Sequence, residues 1–135
     1  CKQLLRNENE VIGYETGLSA LNRIGLVSQM PQKRCIATNL HMKRIPKGMQ
    51  IEIRKPPIRV NADNFRYLQI LDAIRELDMA PVDTAKPVDV VRATVQKFAL
   101  ETDQMILMAR KYYGQKTLVR TIDIMLEGSY ESARG

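Results

Sequence analysis

The chain is expected to be an α+β protein, with a small, mostly antiparallel sheet within about residues 11–60 covered by a C-terminal run of about four helices. Three observations predict it. Short β-prone segments, one of them strictly alternating, are confined to the first half. From Asn61 onward apolar residues recur at helical spacing. Strands and helices do not alternate along the chain, which argues against a doubly wound parallel sheet.

The elements follow in order. Cys1-Lys2-Gln3-Leu4-Leu5-Arg6 reads like the inside or end of a helix, so residues 1–10 are expected to be the tail end of a linker or helix belonging to a missing N-terminal part. Thr16 to Ile24 predicts a short helix carrying Leu18, Leu21 and Ile24, with Thr16 as N-cap and Gly25 as terminator. Arg34 to Thr38 is a compact β-prone run. Met42 to Ile45 and Met49 to Lys55 flank Pro46-Lys47-Gly48, the composition of a tight turn, and suggest a hairpin. Its second arm alternates Ile51 and Ile53 with Gln50, Glu52 and Arg54, as a half-buried antiparallel strand does. Pro56-Pro57 then limits Ile58 to Val60 to an edge strand at most.

Phe65, Leu68, Leu71, Ile74 and Leu77 predict a helix of about four turns, capped by Asn61 or Asp63 and ending before Pro81. A second helix begins near Asp83 to Pro87 and carries Val88, Val91, Val95 and Phe98. A third, Thr102 to Tyr113, has Thr102 as cap and a stripe of Met105, Met108 and Tyr112 that reads as core packing. The last, Gln115 to Glu127, places Leu118, Ile122 and Met125 inward and stops at Gly128, with 129–135 as a frayed tail.

The chain has 135 residues, 44% of them hydrophobic and 27% charged, which suits one domain with an ordinary core and excludes low-complexity or collagen-like chains. No stretch approaches the ~20 apolar residues of a membrane span, and none reads as a signal peptide, so a cytoplasmic protein with no membrane partner is expected. Cys1 and Cys35 lack the companions of a zinc site or a disulfide framework.

Charge is uneven. The formal net charge is +6, yet residues 1–60 carry 11 basic and 4 acidic side chains and residues 61–135 carry 10 and 11. Lys33, Arg34, Lys43, Arg44, Lys47, Arg54, Lys55 and Arg59 are opposed within their own stretch only by Glu52. These eight are the candidate surface for an anionic partner, the alternative being a solvated sheet face. The stretch contains no Tyr, Phe or Trp, so it offers single-stranded bases no stacking platform, and any contact with DNA would be non-specific in kind.

Catalytic patterns are sparse. His41 is the single histidine and reads as a loop residue; there is no nucleophile elbow and no phosphate-binding glycine loop. No catalytic, cofactor-binding or metal-binding residue is therefore assigned. One pattern, Glu52-Ile53-Arg54-Lys55, looks like the carboxylate–x–Lys element of metal-dependent nucleases, with Asp63 and Asp83 the nearest second carboxylates and no motif supporting either. A surface strand of alternating charge is the simpler reading.

The run Gly13-Tyr14-Glu15-Thr16-Gly17-Leu18-Ser19-Ala20-Leu21-Asn22-Arg23-Ile24-Gly25-Leu26-Val27-Ser28-Gln29-Met30-Pro31, followed by Cys35-Ile36-Ala37-Thr38-Asn39, resembles the AbiEi-type antitoxins. Those proteins carry a tyrosine, an "(S/T)G" turn, a small-residue helix ending in "LGL", and "(T/S)QxP" before a strand. Ala109-Arg110-Lys111-Tyr112-Tyr113-Gly114, then Leu118-Val119-Arg120 and Leu126-Glu127, looks like the family's ending. Gly114 stands where the family usually has Pro, and Ile124 where Gly is common, so helix packing is expected to differ there. The resemblance covers the two ends of residues 11–128; the middle follows only the order of elements.

The resemblance implies a single antitoxin domain over 11–128, without catalytic residues, that counteracts a nucleotidyltransferase-like toxin by contact or indirectly. It also implies a winged helix before Cys1 for operon autoregulation, through which DNA would be bound. A nuclease using Glu52 and a structural scaffold domain are the competing functions.

Overall fold

The computed structural model describes residues 2–29, 31–40, 48, 50–77 and 86–127. The chain is α+β. Its elements are α1 (Lys2–Leu5), β1 (Arg6–Asn7), β2 (Glu10–Val11), β3 (Gly13–Glu15), α2 (Gly17–Arg23), β4 (Arg34–Thr38), β5 (Ile51–Arg54), α3 (Phe65–Glu76), α4 (Pro87–Lys97), α5 (Thr102–Tyr112) and α6 (Gln115–Ile122). A wide π turn, Asp123–Glu127, continues α6.

Residues 2–10 are part of the folded body. Leu4 is buried with Ile36 and Ile51 in a small cluster on the sheet, and Leu5 packs beside it. The Ile12 amide donates to the Leu5 carbonyl at 2.8 Å, and β1 and β2 form a two-stranded antiparallel ribbon turning at Glu8.

The main sheet has the order β3-β4-β5. β3 and β4 are antiparallel, pairing Gly13 with Thr38 and Glu15 with Ile36. β4 and β5 are parallel, pairing Arg34 with Ile51 and Ala37 with Arg54. This corrects the expected antiparallel role of residues 51–54. The connection between Thr38 and Ile51 is about a dozen residues, long enough for the crossover a parallel pair requires. The proposed facing arm, Met42 to Ile45, lies outside the described residues, as do His41, Pro46, Lys47 and the tail 129–135. Residues 58–60 form no strand; instead the Asn39 side chain bonds both the amide and the carbonyl of Val60, at 2.8 and 2.9 Å.

The four expected helices are present, and α3 is the central one. It packs on β3 and α2 on one side and on α5 and α6 on the other. That double contact is why Leu68, Ile70, Leu71, Ala73 and Ile74 are all essentially inaccessible. Each large apolar side chain of this kind contributes about 2 kcal/mol by leaving water. α4 starts with Pro87 in its first turn, as expected. Its Val91 and Val95 join the same core.

Helix ends show where local pattern and tertiary structure part. Thr16 does occupy the N-cap position of α2, but its hydroxyl makes no cap bond. Gly25, at φ +90°, terminates that helix in a conformation costly for any side chain. Leu18, expected on the apolar stripe, is exposed. Asn61 Oδ1 accepts from the Asp63 and Asn64 amides, so it builds the turn before α3 while Asn64 takes the N-cap position. Glu101, rather than Thr102, precedes α5.

Along α5 the inward tyrosine is Tyr113, whereas Tyr112 is exposed. In α6, Thr117 and Thr121 are buried and Leu118 and Ile122 only half-buried, while Ile124 and Met125 are buried side by side in the π turn. The buried positions 117, 121, 124 and 125 keep helical spacing, but the first two lie one residue off the expected stripe at Leu118 and Ile122.

At Gly114, which precedes α6, φ is −76° and ψ 169°, and a Cβ would meet nothing within 4 Å. Tyr113 before it is extended, as a residue preceding proline must be. Gly114→Pro is therefore expected to stabilise the fold by about 0.4–1 kcal/mol, read as a higher urea midpoint at unchanged m.

Candidate functional site

Two arrangements of polar side chains stand out, and both start from residues of the Gly13 to Pro31 segment. The first centres on Asp72, which the α3 pattern places among apolar residues and the fold buries to 2% exposure. The Tyr14 hydroxyl donates to Asp72 Oδ2 at 3.0 Å. The Thr16 hydroxyl donates to the same oxygen, and the Tyr113 hydroxyl donates to Oδ1. Arg75 Nη2, one turn on, lies 3.6 Å from Oδ1, and its guanidinium stands over the Tyr113 ring. Burial first, and the Asp72 charge second, push both phenols far above the ordinary tyrosine range, so each serves here as a donor.

The second arrangement gathers acids against the basic segment. Glu15, on β3, is buried and forms ion pairs with Arg23 of α2 and, at 3.1 Å, with Arg34 of β4. Its carbonyl accepts from Gln69 Nε2 at 3.1 Å. Arg54 reaches Glu52 at 2.8 Å and Glu76 of α3 at 3.3 Å. Its guanidinium lies over Gly17, where a Cβ would come within 3.1 Å of Nη1.

The eight candidate cations therefore divide. Arg34 and Arg54 are paired with acids. Lys33, Lys55 and Arg59 are exposed. Lys43, Arg44 and Lys47 lie outside the described residues. Arg54, Lys55 and Arg59 line a groove of about 370 Å³ together with Leu40, Ile53 and the Pro56-Pro57 pair. The alternation sets Arg54 on the polar side of its strand, and Glu76, brought in from α3, holds it partly inward. A count of charges along the segment misses Glu15 and Glu76 because both come from other elements.

Glu52 is held by Arg54 and accepts from the Cys35 thiol at 3.4 Å. The Arg54 hydrogen bond, then that of Cys35, lower its pKa below the ordinary carboxylate value, and burial followed by Glu52 raises that of the Cys35 thiol. Asp63 is exposed at the start of α3, and Asp83 lies outside the described residues. Among the described residues no group of three His, Cys, Asp or Glu side chains is placed to hold a metal ion.

Asp72, Glu15 and Tyr113 were not singled out from sequence. A carboxylate inside an otherwise apolar helical run was the available signal for Asp72, since a buried charge requires partners.

No family model, no curated protein and no solved structure matches the chain. Among the described residues no helix is long and apolar enough to cross a membrane.

Proposed function

We propose that the chain is the toxin-opposing domain of an AbiEi-like regulator, a cytoplasmic binding module whose partner is a nucleotidyltransferase-like toxin. One observation supports this reading above the others. Tyr14, the "(S/T)G" threonine Thr16, and Tyr113 of the late aromatic pair come from the two separate segments that resemble the family, and all three close on Asp72. The resemblance thus falls on one connected structural unit rather than on unrelated turns.

In this reading the Asp72 cluster is a staple, because its hydroxyls are turned to the carboxylate, and recognition falls to exposed cations. The test is co-expression with the nucleotidyltransferase-like toxin of the same operon. The wild-type chain should restore growth. Lys33→Glu, Lys55→Glu and Arg59→Glu together should abolish the protection while changing stability by no more than about 0.5 kcal/mol each. A folded wild-type chain that gives no protection overturns the proposal. So does Mg²⁺- or Mn²⁺-dependent cleavage of nucleic acid that is lost in Glu52→Gln, which would establish the nuclease reading.

A further inference from the structure

A cleft of about 440 Å³ opens where the β1–β2 ribbon meets the ends of α2, α3 and α4. Four cations from four elements line it: Arg6 of β1, Arg23 of the last turn of α2, Arg66 of the first turn of α3, and Lys97 at the end of α4. The one acid on its wall, Glu15, is already shared between Arg23 and Arg34. Arg66 and Arg6 have no ion-pair partner among the described residues.

Arg66 is half-buried between two rings, its guanidinium carbon 4.6 Å from the centroid of Phe65 and 3.9 Å from that of Phe98. Stacking of this kind fixes the plane of a guanidinium and leaves its N–H edge free to donate, the arrangement that suits bidentate binding of a phosphate. Lys97 Nζ lies 5.4 Å from the Phe98 centroid, so it flanks the same ring. Burial and the charges of Arg6 and Arg23 both lower the pKa of Arg66, which means that the cations stand close enough to repel one another. Repulsion of that sort weakens an empty cleft and is relieved by an anion.

We propose that this cleft binds a small phosphorylated molecule of nucleotide size, with the phosphate held by Arg6, Arg23, Arg66 and Lys97 and a flat moiety laid against the Phe65–Arg66–Phe98 stack. The volume is within the range of small-ligand pockets and exceeds what a lone phosphate fills. The eight cations of the Lys33 to Arg59 stretch contribute none of this lining, so the site is separate from the surface proposed to face the toxin and stands without that reading.

Isothermal titration of the whole chain with AMP, adenosine, ribose 5-phosphate and inorganic phosphate tests it. AMP should bind, and each of the other three should bind at least about tenfold more weakly, having lost either the charge-assisted bonds or the stacking surface. Arg6→Gln with Lys97→Gln changes two exposed side chains and should weaken AMP about tenfold or more with the melting temperature retained. Arg66→Lys, which keeps the charge and loses the stacked plane, should weaken it as well. Lys33→Glu, Lys55→Glu and Arg59→Glu should leave AMP binding unchanged. The proposal is overturned if adenosine or ribose 5-phosphate matches AMP, or if the distant triple variant weakens AMP as much as the cleft variant does. Equal displacement of AMP by single-stranded RNA lacking a terminal phosphate overturns it too, because the cleft would then be part of a polynucleotide surface.

Discussion

Asp72→Ala should cost about 3–5 kcal/mol of folding stability, the largest effect expected from any single polar substitution in this chain. The carboxylate accepts hydrogen bonds from Tyr14, Thr16 and Tyr113, and its removal takes the acceptor from the buried hydroxyls of Tyr14 and Thr16, while Tyr113 keeps the Leu68 carbonyl at 3.2 Å. Each stranded donor costs about 1–3 kcal/mol. Asp72→Asn should cost less, about 1–2 kcal/mol, because an amide of the same shape still offers one acceptor oxygen and the hydroxyls can themselves accept from its NH₂. Urea unfolding of the two variants at pH 7, compared at equal m, measures the difference. A loss below about 1 kcal/mol in both would mean that water replaces the carboxylate, and the staple assigned to Asp72 would be wrong.

Gly13→Ala should be nearly as damaging for an unrelated reason. A Cβ on Gly13 would stand 2.7 Å from the Ala37 carbonyl oxygen and closer still to that of Leu4. Both obstacles are backbone, so no side-chain rotation relieves the clash, and β3 would have to lift away from β4 or from α1. Overpacking of this kind costs about 1–3 kcal/mol and occasionally more. The same substitution at Gly25, where the nearest atom is Val90 Cγ1 at 3.9 Å, should cost only the ~1–2 kcal/mol of placing a side chain at positive φ. Thermal unfolding of the pair separates space from conformation. If Gly13→Ala is the milder of the two, the close approach of β3 to α1 is not as described.

Much of the fold was readable because helices advertise themselves over many residues. The period through Phe65, Leu68, Leu71 and Ile74 survives in α3, and Pro87 and Gly25 mark ends where expected. Features that depend on distant partners were not readable. Alternation at Ile51 to Arg54 marks a strand but carries no information about direction, and the strand pairs parallel to β4. Two adjacent tyrosines at the end of a helix look equivalent in sequence; the Asp72 carboxylate, 41 residues away, selects Tyr113. Thr16 looked like a cap because its neighbours suit one, and the same carboxylate drew its hydroxyl elsewhere. The cleft cations at positions 6, 23, 66 and 97 form no cluster along the chain, so a charge count finds only the denser and partly neutralised stretch at 33–59.

The wide turn at Asp123–Glu127 has a bearing on how α4 and α6 are held together. A π turn spends one residue more than an α turn, and its carbonyls leave the regular α hydrogen-bond pattern. Arg92 Nε donates to the Ile124 carbonyl at 2.9 Å, which anchors the widened turn to α4. The turn is thereby a clasp between the end of α6 and α4. Deleting one residue within 123–127 would return the segment to the α period and take the Ile124 carbonyl away from Arg92, loosening α4 without touching a strand or the Asp72 cluster.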